Sequence, residues 1–133
     1  MHTLTSDDHE LIAAARAAIA HNYNEESYNH TVGAALRCRD GKIYTGVNCY
    51  ALHGPCAETI AVGKAITDGQ RAFDCIVAVS FNRGGSVLSP CGNCRQMLFD
   101  YMQDCEVIVE TEAGLRKVSV RELLPYAYVR HDV

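Results

Sequence analysis

Pro90-Cys91-Gly92-Asn93-Cys94-Arg95, read together with the earlier Pro55-Cys56-Ala57-Glu58, decides how the rest of this chain is organised. Cys91 and Cys94 stand within one turn of each other and can grip a single ion. Cys56 is a third thiol that the fold must bring in from elsewhere. Zinc favours four-coordinate sites, and a catalytic site holds three protein ligands with the fourth position left for water. Zinc brings the pKa of that water down to roughly 7. Glu58 follows the first thiol by two residues, is the wrong ligand type for a thiolate-rich site, and suits proton transfer at the reacting centre. Three thiolates around a divalent cation leave a net negative charge. Arg95, directly after Cys94, is expected to offset it by donating to a thiolate.

Two other readings use the same thiols. A Cys-x-x-Cys pair also serves as a redox couple or as half of a structural zinc ribbon. A ribbon needs a fourth ligand, which Cys49 or His53 could supply. A redox pair leaves Cys56 and Glu58 without a part, so catalytic zinc accounts for more of the constellation.

Working outward, Cys56 to Thr67 reads as a helix opened by Pro55, and Cys91 to Tyr101 as a second helix beginning at the paired cysteines. Both metal segments therefore fall at helix N-termini, where outward backbone N–H groups favour thiolate over thiol. Upstream, Ser6 with Asp7, Asp8 and Glu10 marks a helix start. Leu11, Ile12, Ala15 and Ile19 continue it at helical spacing, and Asn22 to Asn29 is a polar exit loop. Val32 to Leu36 and Lys42 to Val47 are strands joined by an Asp40-Gly41 hairpin turn. Cys75 to Phe81 is an apolar, β-branched strand of the buried kind, and Asn82 to Ser86 a loop. Val107 to Val109 and Lys117 to Ser119 are further strands, before a short helix over Val120 to Leu124. The pattern predicts a mixed sheet with helices packed against it.

The 133 residues, 48% hydrophobic and 21% charged, describe a single ordinary globular domain over 1–133. A chain of this size buries about 65–70% of its unfolded surface. The net charge of -4 argues against a surface that coats nucleic acid, so the expected partner is a free small molecule. No run is apolar enough for a membrane helix, and the start at Met1 lacks the basic and apolar regions of a signal peptide. Seven cysteines form an odd, clustered set rather than a disulfide framework. Cys38, Cys49, Cys75 and Cys105 are then reduced, most of them small buried hydrophobes, in a cytoplasmic protein.

At Val32-Gly33-Ala34-Ala35-Leu36, Asp40-Gly41-Lys42-Ile43, Thr45-Gly46-Val47-Asn48, Cys56-Ala57-Glu58 and Ser89-Pro90-Cys91-Gly92-Asn93-Cys94-Arg95-Gln96, the chain resembles the cytidine deaminase superfamily. The likeness runs across almost the whole length, and order and spacing resemble the small zinc-dependent members that act on free nucleosides. It implies a three-layer α-β-α fold with a mixed five-stranded sheet. It also implies a homotetramer whose active sites are completed by neighbouring subunits. Zn2+ would be held by Cys56, Cys91 and Cys94. Glu58 would shuttle protons while hydroxide attacks the amine-bearing carbon of cytosine.

The departures from ordinary cytidine deaminases concern the substrate. Those enzymes carry Phe just before the Val-Gly-Ala-Ala strand, where this chain has His30. They carry a ribose-binding Glu two residues after the equivalent of Asn48, where this chain has Tyr50. Tyr50 brings no negative charge, which weakens ribose recognition and removes repulsion toward an anionic sugar. Blasticidin-S deaminases, whose substrate joins cytosine to a sugar acid, are similar to this chain at Gly46 to Tyr50, Gly54 to Glu58, Asn82-Arg83-Gly84, Asn29 to Gly33, and Arg121 to Pro125 with Tyr128. The resemblance thus implies substrate contacts at His30, Asn48, Tyr50, Ala57, Arg83 and Tyr128. Blasticidin S or a related nucleoside is the expected substrate, with cytidine or deoxycytidine as the alternative. A deaminase-fold protein that only binds is a third reading, opposed by the presence of Glu58 beside all three thiols.

Overall fold

Residues 1–130 are described by a computed structural model. The first helix, α1 (Ser6–Asn22), begins one residue earlier than the Ser6 signal suggests, because Thr5 is its cap. The Thr5 hydroxyl accepts from the Asp8 N–H while the Asp8 carboxylate accepts from the Thr5 N–H at 2.8 Å, a reciprocal capping box. The chain continues as β1 (Val32–Cys38), β2 (Ile43–Val47), α2 (Ala57–Thr67) and β3 (Phe73–Ser80). A single 3-10 turn over Phe81–Arg83 leads to β4 (Ser86–Val87), α3 (Gly92–Tyr101), β5 (Glu106–Thr111), β6 (Gly114–Ser119) and α4 (Val120–Leu123). Phe81 therefore leaves the strand assigned to it, and part of the expected 82–86 loop pairs with β3.

The sheet runs β2-β1-β3-β5-β6, with β4 paired to β3, so six strands stand where five were expected. The sixth is two residues long, too short to leave a period in the sequence. Pairing is antiparallel throughout except between β3 and β5, which α3 joins as a parallel crossover.

Alternation along the central strands separates two cores. Ala34, Leu36, Ile76, Ala78, Val107 and Val109 face one side, in a cluster with Ala57, Ala61 and Val62 of α2 and Leu98 of α3. Ala35, Val77, Val79 and Ile108 face the other, against Leu11, Ile12, Ala15 and Ile19 of α1. The result is the expected three-layer α-β-α arrangement. Burying one such aliphatic side chain contributes about 1.5–3 kcal/mol, so the two faces carry the bulk of the stability.

Both helical layers touch the sheet backbone to backbone at glycine. A Cβ on Gly33 would lie 2.3 Å from the Ala15 carbonyl oxygen of α1. One on Gly46 would lie 2.7 Å from the Ala61 nitrogen and 2.8 Å from the Ala57 oxygen of α2. These distances are far below carbon contact, so only glycine permits the observed separation.

On the α1 side, the Asp8 carboxylate is fully buried. It accepts from Arg37 Nη2 of β1 at 2.8 Å and pairs with Lys117 Nζ of β6 at 2.9 Å. Arg37 Nε also donates to Asp74 of β3 at 2.7 Å. Burial alone would raise the Asp8 pKa, but the Thr5 N–H, Arg37 and Lys117 together hold it well below the usual carboxylate range. One carboxylate thus ties α1 to both an inner strand and an edge strand.

Asp8→Asn keeps an acceptor for the capping N–H and removes the charge. It should cost about 3–5 kcal/mol near neutral pH, the range for breaking a buried ion pair. Since the folded-state pKa is depressed, the stabilisation is complete above the ordinary value of 3.8 and is lost as pH falls below it. Urea unfolding between about pH 7 and about pH 2 should show the gap between wild type and variant narrowing on acidification. A gap independent of pH would exclude the charge as its source.

Candidate active site

Cys56 caps α2 and Cys91 caps α3, each in extended backbone conformation with no side-chain capping bond, so both thiols stay free at the helix mouths. The Sγ atoms of Cys56 and Cys91 are 4.0 Å apart, and with Cys94 all three sulfurs lie within 4.8 Å of one another. Zn–S bonds of ~2.3 Å in a tetrahedron place sulfurs about 3.8 Å apart, so the three thiols fit one zinc ion. Among the described residues this group contains neither Cys49 nor His53, and the four-ligand ribbon is not built. The third thiol at this spacing also separates the site from a simple Cys-x-x-Cys redox pair.

Electrostatics distinguish the three. Burial would raise the Cys91 thiol, but the Cys94 N–H, the neighbouring Cys94 and Cys56 thiols and the Asn93 N–H together more than compensate, and its pKa falls. Cys94 is fully buried, and burial followed by the charge of Glu58 pushes its thiol far up. Cys56 is raised chiefly by burial. Three mutually repelling sulfurs, one of them inside the protein, are a donor set that a divalent cation would neutralise.

Glu58, on the first turn of α2, is 5% exposed. Its carboxyl has no side-chain hydrogen-bond partner among the described residues, and burial raises its pKa despite a backbone N–H that lowers it. It opens onto a cleft of about 270 Å³ lined by Val32, Asn48, Cys56, Ala57, Glu58, Leu88, Ser89 and Cys91. The walls are mainly apolar, and among the described residues Glu58 is the only acidic one lining them. A protonatable carboxyl beside a metal-competent thiol set in a mainly apolar cleft is an arrangement for hydrolytic chemistry on a small molecule.

Of the other residues singled out from the sequence, Asn48 and Ala57 line the cleft. Asn48 Oδ1 accepts from the Val32 N–H at 3.0 Å, which commits one end of its amide to β1. His30 has φ 63°, a left-handed conformation uncommon away from glycine, and its Nδ1 lies 2.7 Å from the Asn48 carbonyl oxygen. Tyr50, 60% exposed, has its hydroxyl 3.0 Å from Thr31 Oγ1. Neither lines the cleft itself: His30 contacts it through Asn48, and Tyr50 bonds to the residue before Val32. Arg83 and Tyr128 do not line the cleft. Arg83 is exposed on the 3-10 turn, with no ion-pair partner among the described residues. Tyr128 is exposed, and its carbonyl accepts from Gln96 of α3 at 3.0 Å.

Arg95 departs from expectation. Its Nε donates to the Pro90 carbonyl at 2.8 Å, one Nη to the Leu123 carbonyl at 3.0 Å and the other to Ser89 Oγ at 3.0 Å. The guanidinium staples the turn before Cys91 to the end of α4, and no bond to a thiolate is present among the described residues. Sequence reasoning left Val32, Leu88 and Ser89 out of the site, although the motif around Pro90 already contained Ser89. Leu88 could not be found from spacing, since its N–H bonds the Ala78 carbonyl through the unexpected β4 pairing.

Comparison with known proteins agrees with this geometry. Residues 5–111 match the family model for the cytidine and deoxycytidylate deaminase zinc-binding region. The chain is 39% identical over 137 residues to a blasticidin-S deaminase of Bacillus cereus, covering 96% of each. It is 34% identical over 133 residues to a cytidine deaminase of Sporosarcina psychrophila, covering 96% of this chain and 95% of that one. The crystal structure of a cytidine deaminase from Burkholderia pseudomallei superimposes with a TM-score of 0.75 at 34% identity, over 94% of this chain and all of the other.

The purified protein should carry about one zinc per chain. Cys56→Ala, Cys91→Ala and Cys94→Ala should each lose it, as read by elemental mass spectrometry. A variant that keeps full zinc removes its cysteine from the ligand set.

Proposed function

We propose that this chain, which belongs to the cytidine and deoxycytidylate deaminase family, deaminates the cytosine of a free nucleoside whose sugar end carries a carboxylate, with blasticidin S as the reference substrate. The observation that carries the reading is the scarcity of acidic groups lining the cleft. Tyr50 stands two residues after Asn48, where ordinary family members have a ribose-binding Glu, and among the described residues Glu58 is the only acid lining the cleft. Arg83 adds an exposed cation on the turn that follows β3, with no ion-pair partner among the described residues.

Deamination replaces the amine of cytosine by oxygen from water and releases ammonia. Zinc, held by Cys56, Cys91 and Cys94, supplies when bound the acidity that makes water nucleophilic near neutral pH. Val32 and Leu88 exclude bulk water around the base. The Asn48 amide and the Ala57 backbone fix its orientation through polar contacts. Glu58 takes the proton of the attacking water, protonates the ring nitrogen, and delivers a proton to the departing amine. Burial raises its pKa, which moves the carboxyl in the direction that suits a group asked both to accept and to give a proton. Arg95 positions Cys91 through the Pro90 carbonyl.

The cleft of about 270 Å³ is at the small end for a ligand site and takes the base more readily than a whole nucleoside. The sugar lies toward Tyr50 and Arg83, where a carboxylate meets a phenol and a guanidinium. His30 and Tyr128 contribute at that end, and a neighbouring subunit of a homotetramer completes it. The second reading, cytidine deamination in nucleoside salvage, draws on the 34% identical cytidine deaminase.

Glu58→Gln should retain zinc and lose turnover by at least ~10²-fold, the lower end for a general acid–base group. A loss under about tenfold at full zinc occupancy would assign the proton work to another residue.

Substrate choice is decided by measuring kcat/KM of one preparation on cytidine, deoxycytidine and blasticidin S. Tyr50→Glu should depress blasticidin S turnover far more than cytidine turnover, by added repulsion. Arg83→Ala should shift the ratio the same way, by lost attraction. Efficient cytidine turnover with none on blasticidin S would sink the anionic-sugar reading and leave the salvage reading in place.

A further inference from the structure

Thr31 is 4% exposed, does not line the cleft, and belongs to neither hydrophobic core. A buried polar residue in such a place needs a reason in its hydrogen bonds. Its Oγ1 lies 3.0 Å from the Tyr50 hydroxyl. Its carbonyl accepts from the Phe81 N–H at 2.7 Å, which holds the first residue of the turn that ends in Arg83. Its successor, Val32, lines the cleft and exchanges bonds with Asn48: the Val32 N–H donates to Asn48 Oδ1 at 3.0 Å, and the Asn48 N–H donates to the Val32 carbonyl at 3.2 Å.

One residue therefore links three segments that are far apart in sequence: the entry to β1, the strip from Asn48 to Tyr50, and the turn from Phe81 to Arg83. Without the hydroxyl bond, Tyr50 is a mostly exposed side chain on a loop, free to sample its rotamers in water. With it, the phenol is held by the residue that precedes cleft-lining Val32 and that also bonds the start of the Arg83 turn.

We propose that Thr31 is a positioning residue for substrate specificity, acting through Tyr50 to fix the sugar-recognising end of the site. This rests on the reading of Tyr50 and Arg83 given above. Thr31 touches neither the base nor the thiols, so its effect falls on sugar binding. A rotamer locked before binding does not have to be ordered during it, which is a gain in affinity without a new contact.

The test is a double-mutant cycle on zinc-loaded enzyme, using Thr31→Val, Thr31→Ser, Tyr50→Phe and the Thr31→Val/Tyr50→Phe double variant, with cytidine and blasticidin S as substrates. Thr31→Val and Tyr50→Phe should each raise KM by roughly three- to tenfold, the scale of one lost positioning hydrogen bond, with a smaller change in kcat. The double variant should be no worse than the poorer single, since both substitutions delete the same bond. Thr31→Ser, which keeps the hydroxyl, should restore KM to within about twofold of wild type.

Additive effects in the double variant, an unchanged KM in Thr31→Val, or a Thr31→Ser variant as impaired as Thr31→Val would each overturn the proposal. Thermal unfolding guards against a folding artefact: a KM effect that tracks lost stability in Thr31→Ser as well as Thr31→Val also counts against it. Should wild type turn over cytidine alone, the substrate reading fails, yet the same cycle read on cytidine still upholds or overturns the link between Thr31 and Tyr50.

Discussion

The backbone of α2 rests directly on β2 because Gly46 has no side chain to hold them apart, and the placement of the site follows from that contact. The atoms that approach Gly46 are the Ala57 oxygen and the Ala61 nitrogen, so the first turn of α2 is registered against the sheet without an intervening side chain. Cys56 and Glu58 flank Ala57 and inherit its position. The second helix is set differently. The Arg95 guanidinium spans the Pro90 and Leu123 carbonyls and fixes the turn into α3, so that Cys91 faces Cys56 at 4.0 Å. One helix is fixed by close approach and the other by a polar staple, and three sulfurs converge between them.

What could be read from the sequence was what is local. Cys-x-x-Cys, Cys-x-Glu, the Asp40-Gly41 turn and the apolar period of α1 are each contained within a few residues, and each stands in the structure close to its expected bounds. The failures are non-local. Arg95 follows a metal-site cysteine, which suggests a thiolate partner, but two of its bonds turn back to Ser89 and Pro90 and the third depends on where α4 places the Leu123 carbonyl. The two-residue β4 exists only because β3 offers it an edge. Asp8 read as a favourable charge at a helix start. Nothing near it in sequence foretold that Arg37 and Lys117 would meet it inside the protein.

The seven thiols divide by the same logic. Cys38, Cys75 and Cys105 are buried, and burial raises all three, Cys75 to about 12. They remain protonated and unreactive at neutral pH, and pack as small apolar groups. Cys49 is exposed rather than buried. Only Cys91 combines exposure with backbone donors, which is why composition alone could not sort the cysteines while position in the fold does.

His30, Thr31, Tyr50 and Arg83 all fall outside both hydrophobic clusters. Heritable change can therefore reach these positions without disturbing the apolar packing on which folding depends. A lineage built on this scaffold can exchange such loop residues while its thiol set and its core stay as they are. Relatives at 39% and 34% identity carry the names of an antibiotic's deaminase and a common nucleoside's.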